Sequence, residues 1–243
     1  MKKINLIFIA LFTLISLFSC KKDDDKTEVL TAVSNDEAAE IVANSMGTNS
    51  GGAGFVMGST SSLGSGYNKA EKSALADTSF IVSYTYGDAS FDFEVSYTWE
   101  ILMNPSMKRP ELDITFSTVG KAISPKISSD GTSTGKYVFY GLLETDPNYV
   151  MNGTFKRTGT TTLKISQEKS ITSELNITFT ELKYNKTGFV LESGTATVNL
   201  IGLTSDGKTF DINGSIVYTN SSTATLTIGD KSYTINVTEG KLK

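Results

Sequence analysis

The stretch FDFEVSYTWEILM, residues 91–103, alternates apolar and polar side chains along its length. Apolar residues occupy every odd position, and polar residues occupy every even position except Leu102. This period of two is typical of a β-strand with one buried face and one solvated face. At about 3.3 Å per residue the strand is roughly 43 Å long. Such a length favours a tilted barrel strand or a curled sheet.

Segments with the same alternation fill the chain from residue 79 onward and are separated by short turn signals such as Asp206-Gly207. Connections this short join antiparallel neighbours, because parallel strands need long crossovers. The sequence therefore predicts an all-β fold for residues 79–243, an antiparallel meander of about 10–12 strands. The meander is barrel-like or two-layered, and one or two short N-terminal helices precede it. Besides 91–103, the predicted strands are 80–86, 112–119, 137–144, 149–158, 160–166, 175–184, 189–204, 209–219, 223–228 and 232–238.

A weak internal repeat of about 60 residues is visible within the β domain. Asn152-Gly153-Thr154 recurs 61 positions later as Asn213-Gly214-Ser215. Residues 160–165 and 223–228 share a second Thr-rich pattern. Threonine-rich strands also resemble one another by composition alone, so both interpretations stay open.

Residues 34–78 are predicted to hold a short amphipathic helix and a Gly/Ser-rich linker. Ser34-Asn35-Asp36-Glu37 fits the capping box, and apolar residues follow at helical spacing up to Met46, before Gly47. We expect this helix to lie on the sheet through one apolar stripe; a partner-binding helix is the alternative. The glycines and serines of residues 48–66 predict a flexible linker, in which the apolar group Phe55-Val56-Met57 tucks into the domain. Residues 67–76 are a candidate second helix.

The N-terminus has the pattern of a secretory signal. Lys2 and Lys3 precede a 15-residue run, 4–18, that is apolar except at three positions. The run is shorter than the roughly 20 residues of a spanning helix. It ends two residues before Cys20, the single cysteine of the chain, and five charged residues, 21–25, follow that cysteine at once.

Leu17-Phe18-Ser19-Cys20 resembles the lipobox of bacterial lipoproteins, although Phe18 is bulkier than the residue usual there. The resemblance covers about the first 25 residues. It implies that residues 1–19 are a signal peptide and that Cys20 carries a covalent diacylglycerol with an N-acyl chain, which would anchor the chain in a membrane. Residues 20–33 would then be an acidic tether. Lysine and acidic residues directly after the lipidated cysteine resemble the export signal to the outer face of the outer membrane in some Gram-negative lineages; a plain solvated tether is the other interpretation.

Composition excludes several classes of function. The chain contains no histidine, which rules out Ser-His-Asp and Cys-His catalytic groups and His-ligated metals. Residues 1–19 contain two lysines and no acidic residue, so the predicted mature chain has 20 basic and 26 acidic residues, net −6. An acidic chain without a basic cluster is a poor nucleic-acid binder. We expect no cofactor besides the lipid and no metal site.

Two sets of residues in the 91–103 strand are candidate functional groups. Asp92 and Glu94 share a face at a spacing that carboxylate glycosidases use, but any alternating acidic pair has it, so a solvated face is favoured. Trp99, Tyr97 and Phe93 share the odd positions and therefore point into the core or into a ligand cavity.

The sequence favours a non-enzymatic, surface-exposed outer-membrane lipoprotein that binds an apolar ligand, a glycan or an envelope partner. A structural or adhesive module that presents a β surface to another protein is the alternative. A carboxylate-based glycoside hydrolase is the third class.

Overall fold

In the part of the chain that the structure describes, eleven antiparallel strands form one sheet in which every strand pairs with its neighbours in sequence. The computed structural model describes residues 32–65, 76–86, 89–104, 106–165 and 169–243. The sheet is a meander curled into a half-barrel, with two short helices before it, so the predicted fold class is confirmed. The strands are β1 (Ala76–Tyr86), β2 (Ala89–Asn104), β3 (Arg109–Ile123), β4 (Ile127–Tyr140), β5 (Asn148–Leu163), β6 (Lys169–Asn185), β7 (Val190–Thr204), β8 (Thr209–Tyr218), β9 (Thr223–Ile228), β10 (Lys231–Asn236) and β11 (Lys241–Leu242).

The two faces of the sheet differ because side chains alternate along each strand. In β3, Leu112, Ile114 and Phe116 are buried on the concave face. Val119 is exposed on the convex face. The same alternation holds in β9, where Ala224, Leu226 and Ile228 are buried. The concave face is therefore the hydrophobic core, and the convex face is solvated.

Glycines on the concave face allow the sheet to curl tightly. Gly131 of β4 lies opposite Gly159 of β5. Elsewhere an aromatic ring covers the glycine: the ring of Phe93 lies over Gly120, and other rings lie over Gly135 and Gly153. A missing Cβ lets backbones and rings approach closely, which is a common means of bending a sheet.

The core of the half-barrel is filled by helix α1 (Asn35–Met46). Nine of its twelve residues are buried, including Glu37 and Glu40. The helix contacts β4, β5, β9, β10, β11 and the second helix. The predicted helix bounds are confirmed, but the expectation of a single apolar stripe is wrong, since the curled sheet surrounds the helix. Lys169 and Lys126 form ion pairs with Glu37 and Glu40, so neither buried carboxylate is uncompensated.

The predicted capping box at the start of α1 is confirmed. Glu37 N donates to Ser34 Oγ at 3.2 Å, and Ser34 N donates to Glu37 Oε2 at 2.9 Å. Gly47 ends the helix in an extended conformation, with φ −67°.

The variant Ser34→Ala is expected to lower the free energy of unfolding by about 1 kcal/mol, because a helix N-cap donor loses its acceptor. The matched variant Ser34→Asp keeps a cap and should stay near the wild-type value. Urea unfolding followed by circular dichroism measures both. Equal midpoints for Ser34→Ala and the wild type would show that the cap does not stabilise this helix.

The linker interpretation of residues 48–66 is wrong for α2 (Ala53–Ser65), which is helical. The apolar group inside it explains the difference. Ala53, Val56 and Met57 are buried against the core, and this burial offsets the low helix propensity of glycine and serine. The expectation that this group tucks into the domain is confirmed, whereas the second predicted helix, 67–76, falls mostly outside the described residues.

Several strands differ in extent from their predictions; β6, for example, begins at Lys169, six residues before its predicted start. β4 begins at Ile127, ten residues before the predicted start, since its Ser-, Thr- and Gly-rich first half carries little apolar signal. β5 is one continuous strand where two were predicted, because Gly159 is paired within the ladder instead of forming a turn. The sheet begins at Ala76, three residues before the predicted boundary.

The two copies of the candidate repeat lie differently in the sheet. Asn152-Gly153 and residues 160–163 share strand β5, whereas Asn213-Gly214 lies in β8 and residues 223–228 form β9. The repeat stays a prediction. The signal peptide, Cys20 and most of the predicted tether, residues 1–31, lie outside the described residues.

Candidate functional site

A half-open cavity of about 140 Å³ lies where the two helices meet strands β6 to β8. Consecutive hairpins of a meander bring alternate turns to the same edge of the sheet, and the β6–β7, β8–β9 and β10–β11 turns meet here. The cavity is lined by Met46, Thr48, Gly54, Met57, Gly58, Tyr184, Phe189, Leu191, Tyr218, Ser221 and Val237.

Backbone hydrogen bonds hold the loop between the helices against this edge. Thr48 N donates to Val237 O at 3.0 Å, and Asn49 N donates to Thr238 O at 2.9 Å. Within the loop, the Ser50 hydroxyl donates to Gly47 O at 3.2 Å. The wall that carries Thr48 and Val237 is therefore fixed by main-chain contacts.

Most of the cavity wall is apolar and buried. Met46 and Met57 come from the helices, and Leu191 and Val237 come from the sheet side. Methionine side chains are unbranched and polarisable, so they adapt to differently shaped ligands. This composition suits an apolar occupant.

Two buried tyrosines bring hydroxyl groups to the wall. Tyr184 Oη donates to Met57 Sδ at 3.3 Å, and Tyr218 Oη lies 3.8 Å from Met46 Sδ. Burial raises the pKa of both tyrosines, so both hydroxyls are protonated at physiological pH. A thioether is a weak acceptor. A ligand oxygen would be a better partner for either hydroxyl.

Phe189 at the edge of the cavity has an unusual backbone. Its φ is 53°, directly after Gly188 with φ 79°. A bulky residue seldom adopts this left-handed conformation. The Phe189 ring stacks on Tyr184 at 4.4 Å between centroids and also approaches Tyr149 and Phe139. The ring contacts offset the backbone strain, which is a pattern found at ligand sites.

The aromatic residues singled out from the sequence lie elsewhere on the concave face. Phe93 is 1 % exposed inside the core, and Tyr97 and Trp99 are partly buried against it. None of the three lines the cavity, and their ligand-facing role stays a prediction. Asp92 and Glu94 are exposed, as expected for a solvated face.

Sequence reasoning missed Tyr184, Phe189 and Tyr218. A usable signal was present, since each lies next to a turn and the two turns fall at the same edge of a meander. What the sequence could not supply is the position of α1 and α2, which close the cavity from the other side.

Comparison with protein-family models, curated proteins and solved structures finds no match to this chain. Among the described residues, no helix is both long enough and apolar enough to cross a membrane.

Proposed function

We propose that the protein is a lipid-anchored outer-membrane protein, exposed at the cell surface, that binds a small apolar ligand without chemical turnover. The lipobox at Leu17-Phe18-Ser19-Cys20 and the charged run after it support the location. The cavity between the helices and strands β6 to β8 is the single observation that supports the binding role.

The size of the cavity limits the ligand. Its volume of about 140 Å³ is close to that of an apolar cavity of about 150 Å³ that holds benzene. Pockets for drug-sized molecules are larger, about 300–1,000 Å³. The ligand is therefore one ring or a short branched chain, or a larger molecule that inserts only such a group.

The tyrosines narrow the chemistry further. The hydroxyls of Tyr184 and Tyr218 donate to sulfur in a buried apolar wall, where an oxygen acceptor would bind more strongly. A ring that carries one hydroxyl or carbonyl oxygen would pack against the apolar wall and accept a hydrogen bond from the tyrosine hydroxyls. A glycan fits less well, because its many hydroxyls would be buried against methionine, leucine and valine without partners.

Binding of benzyl alcohol to the full chain tests the proposal. Saturable binding is expected in the wild type, measured by calorimetry and by the rise in melting temperature. Leu191→Trp enlarges a wall residue into the cavity and should weaken binding at least tenfold. Leu203→Trp is the matched control, the same substitution in the same strand at a residue 46 % exposed on the convex face.

Tyr218→Phe is expected to weaken benzyl alcohol binding about two- to tenfold, because one hydrogen bond to the ligand is lost. Toluene has no oxygen, so its affinity should change little in the same variant. The proposal is contradicted if the wild type shows no saturable binding, or if Leu191→Trp and Leu203→Trp bind equally well.

The adhesive alternative is favoured by a separate feature at the end of β2. Trp99 and Ile101 are partly buried on the concave face, and Met103 is 64 % exposed. This apolar strip could contact a second protein. Substitution of Met103 with Asp would then abolish partner binding while leaving benzyl alcohol binding intact.

A further inference from the structure

A buried arginine lies on the concave face, away from the cavity. Arg157 of β5 is 8 % exposed and faces helix α1. Its strand neighbour Lys156 points to the convex face, where it pairs with Glu174 at 2.7 Å. Of these two adjacent cations, only Lys156 has a carboxylate partner among the described residues.

Among the described residues, the Arg157 guanidinium contacts neutral groups. Nη2 donates to Ser129 Oγ at 3.1 Å, and Cζ lies 5.5 Å from the centre of the Phe93 ring. Asp130 is the charged group with an electrostatic influence on Arg157, but it is exposed and pairs with Lys121 at 3.1 Å. The guanidinium has five N–H donors in a fixed fork, so most of its donor capacity is left for another acceptor.

Hydroxyl groups surround this arginine on the concave face. The strand register places Thr118, Ser133 and Arg157 in one row across β3, β4 and β5. Ser129 of β4 lies opposite Thr161 of β5, four residues along the same two strands from the Ser133–Arg157 pair. The hydroxyls of Thr118 and Ser133 are buried and have no hydrogen-bond partner among the described residues, but of the four residues only Ser129 and Thr161 line the cleft beside Arg157. Hydroxyl groups donate to anions readily, and an unpaired buried hydroxyl is costly.

A narrow cleft beside Arg157 has room for one small occupant. Its volume is about 10 Å³, and it lies between α1 and strands β4 to β6. This is about the space that one water-sized sphere needs. The polar lining includes Asn44, Ser129, Arg157, Thr161 and Ser173, together with Asp130, whose carboxylate pairs with Lys121 at 3.1 Å. The polar lining and small volume favour a monatomic occupant over an organic molecule or a tetrahedral oxyanion.

The positive charge of Arg157 favours a negatively charged occupant. Burial lowers the pKa of Arg157 to about 10, so the side chain is still a cation at neutral pH. A buried cation without an ionic partner is strongly unfavourable. An anion in the cleft would compensate it and would accept the spare donors of the guanidinium.

We propose that the cleft between α1 and strands β4 to β6 binds one chloride-sized monovalent anion, held by the guanidinium of Arg157 and by the hydroxyl groups of Ser129 and Thr161, which line the cleft. This site is independent of the cavity and of the proposed ligand. Because it sits between α1 and the sheet, the anion fixes the helix inside the half-barrel.

Thermal unfolding of the full chain in sodium chloride and in sodium gluconate, at equal ionic strength, tests the site. Gluconate is too large for the cleft. The melting temperature of the wild type should be about 2–5 °C higher in 200 mM chloride, since a ligand that binds the folded state stabilises it. The variant Arg157→Met should lose this difference.

Lys156→Met is the matched control, because it removes the same charge from the adjacent residue on the other face and should keep the chloride response. An equal response in the wild type and in Arg157→Met would overturn the proposal, as would the absence of a response in the wild type. If phosphate or sulfate raised the melting temperature as much as chloride does, the proposal of a monatomic anion would also be overturned, because neither oxyanion fits the cleft.

Crystals of the wild-type chain soaked in sodium bromide give a readout that does not depend on a variant folding. An anomalous peak within about 3.5 Å of a guanidinium nitrogen of Arg157 is expected, since charge-assisted contacts to the larger halide are slightly longer than hydrogen bonds to oxygen. A bromide-soaked crystal without a peak in this cleft would overturn the proposal.

Discussion

Gly131→Val is expected to lower the free energy of unfolding by more than about 3 kcal/mol and to prevent folding at 37 °C. A Cβ at Gly131 would overlap the carbonyl oxygen of Thr158 and crowd the Cα of Gly159 in the neighbouring strand. Both contacts are with backbone, which cannot move without breaking the β4–β5 ladder. The curl of the sheet, and with it the enclosure of α1, depends on this pair of glycines.

Urea unfolding measures the effect, and Gly58→Ala in helix α2 is the control. Apart from its own helix backbone, a Cβ at Gly58 would meet no atom of the described residues within 4 Å, so alanine there should raise the free energy of unfolding by about 0.5–1 kcal/mol through helix propensity. A wild-type unfolding midpoint for Gly131→Val would show that the curl does not require a glycine at this position.

Cys20→Ser is expected to move the protein completely from the membrane fraction to the soluble fraction. Each buried methylene contributes about 0.8 kcal/mol, so two or more acyl chains make attachment effectively permanent. Serine cannot form the thioether that would carry the proposed diacylglycerol. Ser19→Ala keeps the cysteine and a small preceding residue, and it should stay in the membrane fraction.

The proposed export role of the charged run after Cys20 can be tested separately from the proposed lipid anchor. Replacing Asp23, Asp24 and Asp25 with alanine should leave the protein in the membrane fraction but protect it from protease added to intact cells. Retention of Cys20→Ser in membranes would contradict the lipid anchor. Unchanged protease sensitivity of the triple variant would contradict an export role for the acidic run and favour a plain tether.

The fold class was predictable because its signals are local. Strict alternation through residues 91–103 predicts the long strand β2, and Ser34 with Glu37 predicts the start of α1. Both features depend on residues a few positions apart, so the chain encodes them without reference to tertiary contacts.

The remaining features depend on contacts distant in sequence. Residues 53–65 have the composition of a linker and form α2 because Val56 and Met57 are buried in the core. The pair Gly131 and Gly159 was not identified as a bend, because its meaning depends on the β4–β5 register. The cavity joins residues from Met46 to Val237, and no sequence spacing brings these together.

The burial of Arg157 also could not be predicted from the sequence. In the sequence it follows Lys156 in an apparently ordinary polar segment. Strand alternation assigns the two side chains to opposite faces, but only the packing of α1 makes the concave face a buried environment. A charge that looked solvated is therefore in the core.

Native mass spectrometry of the full chain, purified from membranes of its own host, detects a ligand bound in the cavity. One additional small-molecule mass is expected in the wild type and in Leu203→Trp, and none in Leu191→Trp. Release of that molecule by denaturation would then identify the ligand. The same ligand-free mass in all three proteins would contradict a small-molecule binding function and would favour the adhesive alternative at the β2 strip.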